Sequence, residues 1–163
     1  MGLHSSRLFA ETLKALQGIT LLSGSGRAPL VVERYDGKGG ATATPGLRLI
    51  RGTESFERVG SIKRPGWGDL LLFRSSMEIH LWSLQDPGSS LTIDEVVEKD
   101  IADVITALEG MDWQGLKADP FPITWDPMEQ EDDTETEDGA VIRLVPMWYT
   151  KKGQLGLATD PTD

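Results

Sequence analysis

Residues 70–83 alternate along their length: Leu71, Phe73, Ser75, Met77, Ile79 and Leu81 fall on one face, and Arg74, Ser76, Glu78, His80 and Trp82 on the other. Successive side chains of an extended backbone point to opposite sides, so a period of two marks a strand with one dry and one wet face. A second strand-like stretch, residues 47–58, alternates less regularly. Between the two, Lys63-Arg64-Pro65-Gly66-Trp67-Gly68 has turn chemistry, and the pair reads as a long hairpin with antiparallel pairing.

The other elements are read around that hairpin. Residues 6–17 predict a helix, because Leu8 or Phe9, Thr12 or Leu13, and Leu16 recur at three- and four-residue steps before Gly18. Ser5 or Ser6 is placed to cap it. Residues 30–33 are a short β-prone run, and the glycine-rich residues 36–40 a loop. After the break at Asp86-Pro87-Gly88-Ser89-Ser90, Thr92 and Glu95 make a capping box, with Leu91 and Val96 as its hydrophobic staple. The helix that follows is expected to bury Ile93, Val97, Ile101, Val104 or Ile105, and Leu108, and to stop at Gly110. Asp94, Glu95, Glu98, Asp100, Asp103 and Glu109 are expected on its wet side. Residues 123–128 and 140–149 have strand composition, separated by an acidic loop. Pro146 has no N–H to give to a ladder, so the last strand is expected at a sheet edge or interrupted there.

At 163 residues the chain suits one domain, residues 1–150, with residues 151–163 as a tail. The fold class is α+β: a mostly antiparallel sheet, two main helices and long loops. The apolar runs at residues 19–22 and 70–73 fall far short of the about 20 residues that cross a bilayer. The N-terminus has no basic-then-apolar leader either, so a soluble protein made in a cytoplasm, without a membrane partner, is expected.

Charge is sorted along the chain. Residues 1–74 carry eleven Lys and Arg against six Asp and Glu, and residues 75–163 carry five against twenty. The net charge of −10 opposes broad affinity for nucleic acid, which draws its strength from counterions released around Lys and Arg. An acidic wall beside passing DNA is compatible with it, since repulsion keeps a polyanion from sticking.

Nothing in the sequence specifies a catalytic chemistry. The absence of cysteine excludes disulfides, thiolate metal sites and cysteine nucleophiles together. His4 and His80 have no metal-ligand neighbour and read as surface histidines, and no nucleophile elbow or HExxH motif occurs. Gly24-Ser25-Gly26-Arg27 and Gly37-Lys38-Gly39-Gly40 complete neither a P-loop nor a dinucleotide fingerprint, and read as flexible turns. The acidic run from 129 to 138 has the wrong spacing for an EF-hand: with Asp133 first, the sixth position is Asp138 where glycine is needed. Catalytic residues, cofactor and metal are therefore all expected to be absent. The charged surfaces are the candidates that remain: Arg58, Lys63 and Arg64 near Trp67, with Arg74, and the acidic side chains Glu131, Asp132, Asp133, Glu135, Glu137 and Asp138.

The order of helix, short strand, loop, long hairpin, acidic helix and final strand pair resembles that of the tail-terminator proteins of long-tailed bacteriophages. The residues that carry the resemblance are the opening helix through Arg7-Leu8-Phe9-Ala10-Glu11-Thr12-Leu13-Lys14-Ala15-Leu16 and the strand ending in Glu78-Ile79-His80-Leu81-Trp82. The helix over residues 92–108, Trp125-Asp126-Pro127 and the closing stretch 141–149 complete it. The segment 24–45 and the acidic loop are longer than in the lambda member of that group. The resemblance implies helices packed on an antiparallel sheet, and subunits that form a homo-oligomeric ring, a hexamer, on the tail tube. Such a ring stops tube growth and joins the tail to the head-completion or connector protein, at the head-tail junction of the virion. Its partners are its own copies, the tail tube protein and the connector, and DNA passes through without specific binding.

On this view Arg58, Lys63, Arg64, Trp67 or Arg74 faces acidic residues of a neighbouring subunit or of the tube. Acidic residues of the loop at 129–138, or of the helix at 94–109, face a DNA-conducting lumen or a docking partner. The alternatives are a head-completion (neck) protein at the same junction and an acidic, non-catalytic binding module.

Overall fold

The computed structural model describes residues 4–32, 45–64, 68–127, 137–151, 153–154 and 157–159. Helix α1 spans His4–Gln17 and buries Leu8, Phe9, Thr12 and Leu16, the stripe expected from their spacing. It starts earlier than its sequence suggests, so Ser5 and Ser6 lie inside the first turn and do not precede it. Gly18 closes the helix, donating its N–H to the carbonyl of Lys14 at 3.0 Å.

Strand β1 (Leu30–Val32) runs parallel to the start of β2 (Gly46–Arg64), and β2 turns back antiparallel into β3 (Gly68–Leu84). The hairpin is longer than the alternation alone marks, because its pairing continues to Lys63 opposite Asp69 and Arg64 opposite Gly68. The irregular alternation of β2 has a structural cause: its register against β3 shifts between Arg51 and Glu54 and again between Arg58 and Lys63. The first shift puts one extra residue on β2 and the second three, and an odd excess transfers the following side chains to the other face.

Helix α2 (Ile93–Glu109) begins at Thr92, whose hydroxyl accepts the N–H of Glu95 at 3.3 Å, as the capping box requires. Strands β4 (Ile123–Pro127), β5 (Glu137–Leu144) and β6 (Met147–Lys151) complete a six-stranded sheet in the order β1-β2-β3-β5-β4, with β6 also on β3. Pro146 interrupts the last strand into β5 and β6, which pair with successive parts of β3, and the Pro146 carbonyl accepts the Ser75 N–H at 3.0 Å in the gap. The β5 half lies inside the sheet, between β3 and β4, whereas the β6 half has β3 as its one strand partner among the described residues.

The protein is thus a single-domain α+β fold, a mixed and mostly antiparallel sheet with two helices. On β3 the face carrying Phe73, Met77, Ile79 and Leu81 is buried beneath the helices, and Glu78, His80 and Trp82 occupy the opposite, more open face. The expected alternation therefore holds, except at its start: Leu70 is buried and Leu71 only partly so. Ile79, Leu81, Ile142 and Leu144 from the sheet meet Leu8, Leu16, Val104 and Leu108 from the helices in one core. At about 25 cal/mol per Å² of apolar surface removed from water, each such side chain contributes roughly 1.5–3 kcal/mol before the entropy of ordering is subtracted.

Candidate interaction interface

Beyond Ile50 the outer edge of β2 carries no further strand among the described residues, because β1 accompanies β2 only from Gly46 to Arg48. Residues 51–58 of this β2–β3 arm are all exposed, whereas β3 opposite them stays paired with β6 from Leu70 to Arg74 and buries Phe73. A row of rings ties the arm to the body. Phe56, 55% exposed, stacks on Phe73 at 6.4 Å, Phe73 stacks on Trp148 at 4.4 Å, and His4 meets Trp148 edge-on at 5.0 Å. Arg51 lies over the Phe9 ring, 4.7 Å from its centroid, a favourable placement of a cation on the negative face of a ring.

The sequence-predicted basic residues all fall on this arm. Arg58 is exposed on β2 opposite Leu71, and Arg74 on β3 forms an ion pair with Glu57 across the ladder at 2.5 Å. Lys63 and Arg64 pair through their backbones near the distal end, and Trp67 lies outside the described residues. Of the acidic set, Glu131, Asp132, Asp133 and Glu135 also lie outside them. Glu137 and Asp138 begin β5, opposite Leu84 and Ser83, where Asp138 Oδ1 accepts the Gly139 N–H at 2.7 Å. At about 3.3 Å per residue, Lys63 and Arg64 lie roughly 50 Å along β3 from the acidic start of β5, and Arg74 roughly 30 Å from it. Among the described residues the two predicted surfaces are separate.

The open face of the sheet carries a polar row. Asp126 on β4 pairs with Arg143 on β5, which also reaches Glu78 on β3 at 3.4 Å, and Glu78 Oε2 lies 3.0 Å from His80 Nε2. The hydrogen bond from His80, ahead of the Arg143 charge, holds the Glu78 carboxyl below its ordinary range. His80 therefore does have a carboxylate neighbour, two residues away on the same face of its strand. Arg48 stands over the Trp82 ring at 5.7 Å on the same face.

Two expectations are corrected inside the fold. His4 is not a surface residue: it is 4% exposed, packed on Trp148, and burial with the nearby Arg7 charge lowers its pKa to about 4. Asp100 is not on the wet side of α2: it is fully buried. Its Oδ1 accepts the N–H groups of Gly24 at 2.8 Å and Ser25 at 3.0 Å, and its Oδ2 accepts the hydroxyls of Ser25 at 2.5 Å and Ser83 at 2.6 Å. Asp103, one turn on, accepts the N–H and hydroxyl of Ser23 at 2.7 and 2.8 Å. The turn at 23–26, read from sequence as flexible, is bolted to α2. Its superficial likeness to a phosphate loop ends there, because two of the N–H groups a phosphate would need are given to a carboxylate. The sequence signal was present in the polar residue at a core step of α2, between Val97 and Val104.

Among the described residues no group of three His, Asp or Glu side chains is arranged to hold a metal ion. The larger clefts are open-sided. One of about 500 Å³ lies between α1 and the turn after α2, where Arg7 and Lys14 face Glu11 and Asp112. A small cleft of about 120 Å³ beside β4 is lined by Leu108, Glu109, Trp113, Pro120, Phe121 and Ile123. Next to it Phe121 and Trp125 are 55% and 51% exposed. Among the described residues no helix is long and apolar enough to cross a membrane. No family model matches the chain, and no curated protein matches it.

Proposed function

We propose that this chain is a structural virion protein of the tail-terminator kind, which assembles as a ring on the end of a phage tail tube, halts its growth and joins it to the head connector. The observation that carries the reading is the β2–β3 arm. An exposed outer strand, with no partner beyond Arg48 among the described residues except β3 and anchored by a stack of rings, is a contact element, because an unpaired edge of this length is otherwise a liability for a soluble domain. The element order and the helices packed on one sheet face agree with that family's pattern, and the role asks for surfaces and not for a reaction centre.

Charge supports the same reading. A basic arm and an acidic opposite end of one strand suit a protein that meets different partners at its two ends. The acidic loop after β4 is proposed to face the DNA-conducting lumen or the connector, where like charge keeps DNA moving. Co-sedimentation with preformed tubes of the phage's own tube protein tests the reading. Retention on tubes supports it, whereas binding to the head connector without binding to tubes identifies a head-completion protein.

A further inference from the structure

We infer that copies of this chain join head to tail through one continuous sheet, the outer edge of the β2 arm of one copy pairing with the open edge of β4 of the next. Four observations converge. First, β4 closes one side of the sheet and has no strand on its outer side among the described residues; the arm portion of β2 has none on the other. Unpaired N–H and C=O groups along both edges are templates for another strand.

Second, the strand directions fit. Three antiparallel steps separate β2 from β4, so a copy placed beside another without turning over sets β4 and β2 antiparallel, the more favourable pairing. Third, the exposed rings fall on the same face. Phe56 is opposite Phe73, and Trp125 is opposite Ile142 and so level with Ile79, both on the helix-covered side; a joint offset by roughly 20 Å along the strands, at about 3.3 Å per residue, makes Phe56 and Trp125 aromatic neighbours.

Fourth, the charges are complementary. Strand β2 carries five Arg and Lys against two Glu, while residues 109–127 carry one Lys against four Asp and Glu. Glu109 lines the cleft beside Ile123 and Phe121 on that same side. A contact between two different patches of one chain is heterologous, and a rotation between successive copies closes it into a ring. The inference rests on the ring reading only in taking a second copy as the occupant.

Sedimentation velocity on the full chain and two variants tests it. Phe56→Asp blocks the arm and Trp125→Asp blocks the β4 edge. Both positions are about half exposed, and unchanged melting temperatures check that the fold is kept. The wild type is expected to form a concentration-dependent species larger than a dimer. Each variant alone is expected to lose at least about tenfold in self-affinity and run as a monomer. An equimolar mixture of the two retains one intact arm and one intact edge, and is expected to form a dimer and stop there. A wild type that stays monomeric at every concentration overturns the inference, as do folded variants that assemble like the wild type. A mixture that forms no dimer, or a variant that dimerises alone through a two-fold contact, does the same. Tube binding measured on the same samples separates the two ideas: variants that still bind tubes while wild type is monomeric remove this contact and leave the terminator reading standing.

Discussion

The hydroxyl of Ser25 lies 2.5 Å from the carboxylate of Asp100, and both side chains are closed off from solvent. That contact is the centre of a junction in which one aspartate joins the 23–26 turn, strand β3 and helix α2. The carboxylate is paid for by four donors, and Ser25 Oγ in turn accepts the Leu84 N–H at 3.1 Å. Removing the acceptor strands the donors in the interior, where each unmet group costs about 1–3 kcal/mol.

Asp100→Ala is therefore expected to lower the unfolding free energy by about 3 kcal/mol or more, measured by urea denaturation. Asp103→Ala, whose bonds to Ser23 are exposed, is expected to cost less than about 1 kcal/mol. Equal effects from the two would show that the buried junction has no special weight.

Gly24→Ala is expected to damage the same junction from the other side. A Cβ at that position would stand 2.1 Å from the Val96 carbonyl oxygen, a backbone atom of α2 that cannot step aside. A loss of about 2 kcal/mol or more is expected in the same denaturation assay. A substitution tolerated within about 0.5 kcal/mol would mean that the turn does not pack as tightly as described.

Thr92→Ala removes the acceptor for the Glu95 N–H at the start of α2 and is expected to cost about 1 kcal/mol, with Thr92→Ser restoring most of it. Thermal melts of the two variants check this, and a Ser variant as unstable as the Ala variant would show that the hydroxyl is not the relevant group.

His4 makes stability depend on pH. Its folded pKa is lowered to about 4 from an ordinary 6.5, so between those values the unfolded chain binds a proton that the folded protein excludes. The contribution is complete above pH 6.5 and is lost as pH falls toward 4, amounting to roughly 3 kcal/mol. Denaturation midpoints across that range should fall with pH in the wild type and fall less in His4→Gln. A parallel decline in both would assign the acid sensitivity to other groups.

Much of the fold was legible because local chemistry and tertiary packing agree. The alternation of β3 survives because the helices cover only one face, and the Thr92 cap survives because it is a contact within four residues. Irregular β2 was harder to read because two register shifts break its period, and its residues 51–58 are exposed on both sides, leaving no dry face to mark. Pro146 signalled an interruption correctly. The β5 half of its strand still lies inside the sheet, because the missing N–H falls in the gap between β5 and β6.

Asp100 and His4 were misread for one reason: a lone polar residue looks wet in sequence when its donors or its aromatic cover come from distant segments. Ser25 lies 75 residues from Asp100. The basic arm was visible as a cluster around one turn, with Arg58 and Arg74 as its described side chains. The aromatic edge at Phe121 and Trp125 was not, because exposure of an apolar ring depends on β4 extending past the helices. Trp125 stands opposite buried Ile142 and is still half exposed.

The central claim is that the chain ends tube growth, and the length distribution of tubes polymerised in vitro tests it most directly. Electron microscopy of the phage's own tube protein, assembled with increasing amounts of this protein, is expected to show shorter tubes, each with a ring of added density at one end. Tubes of unchanged length, bare at both ends at saturating protein, would contradict the account.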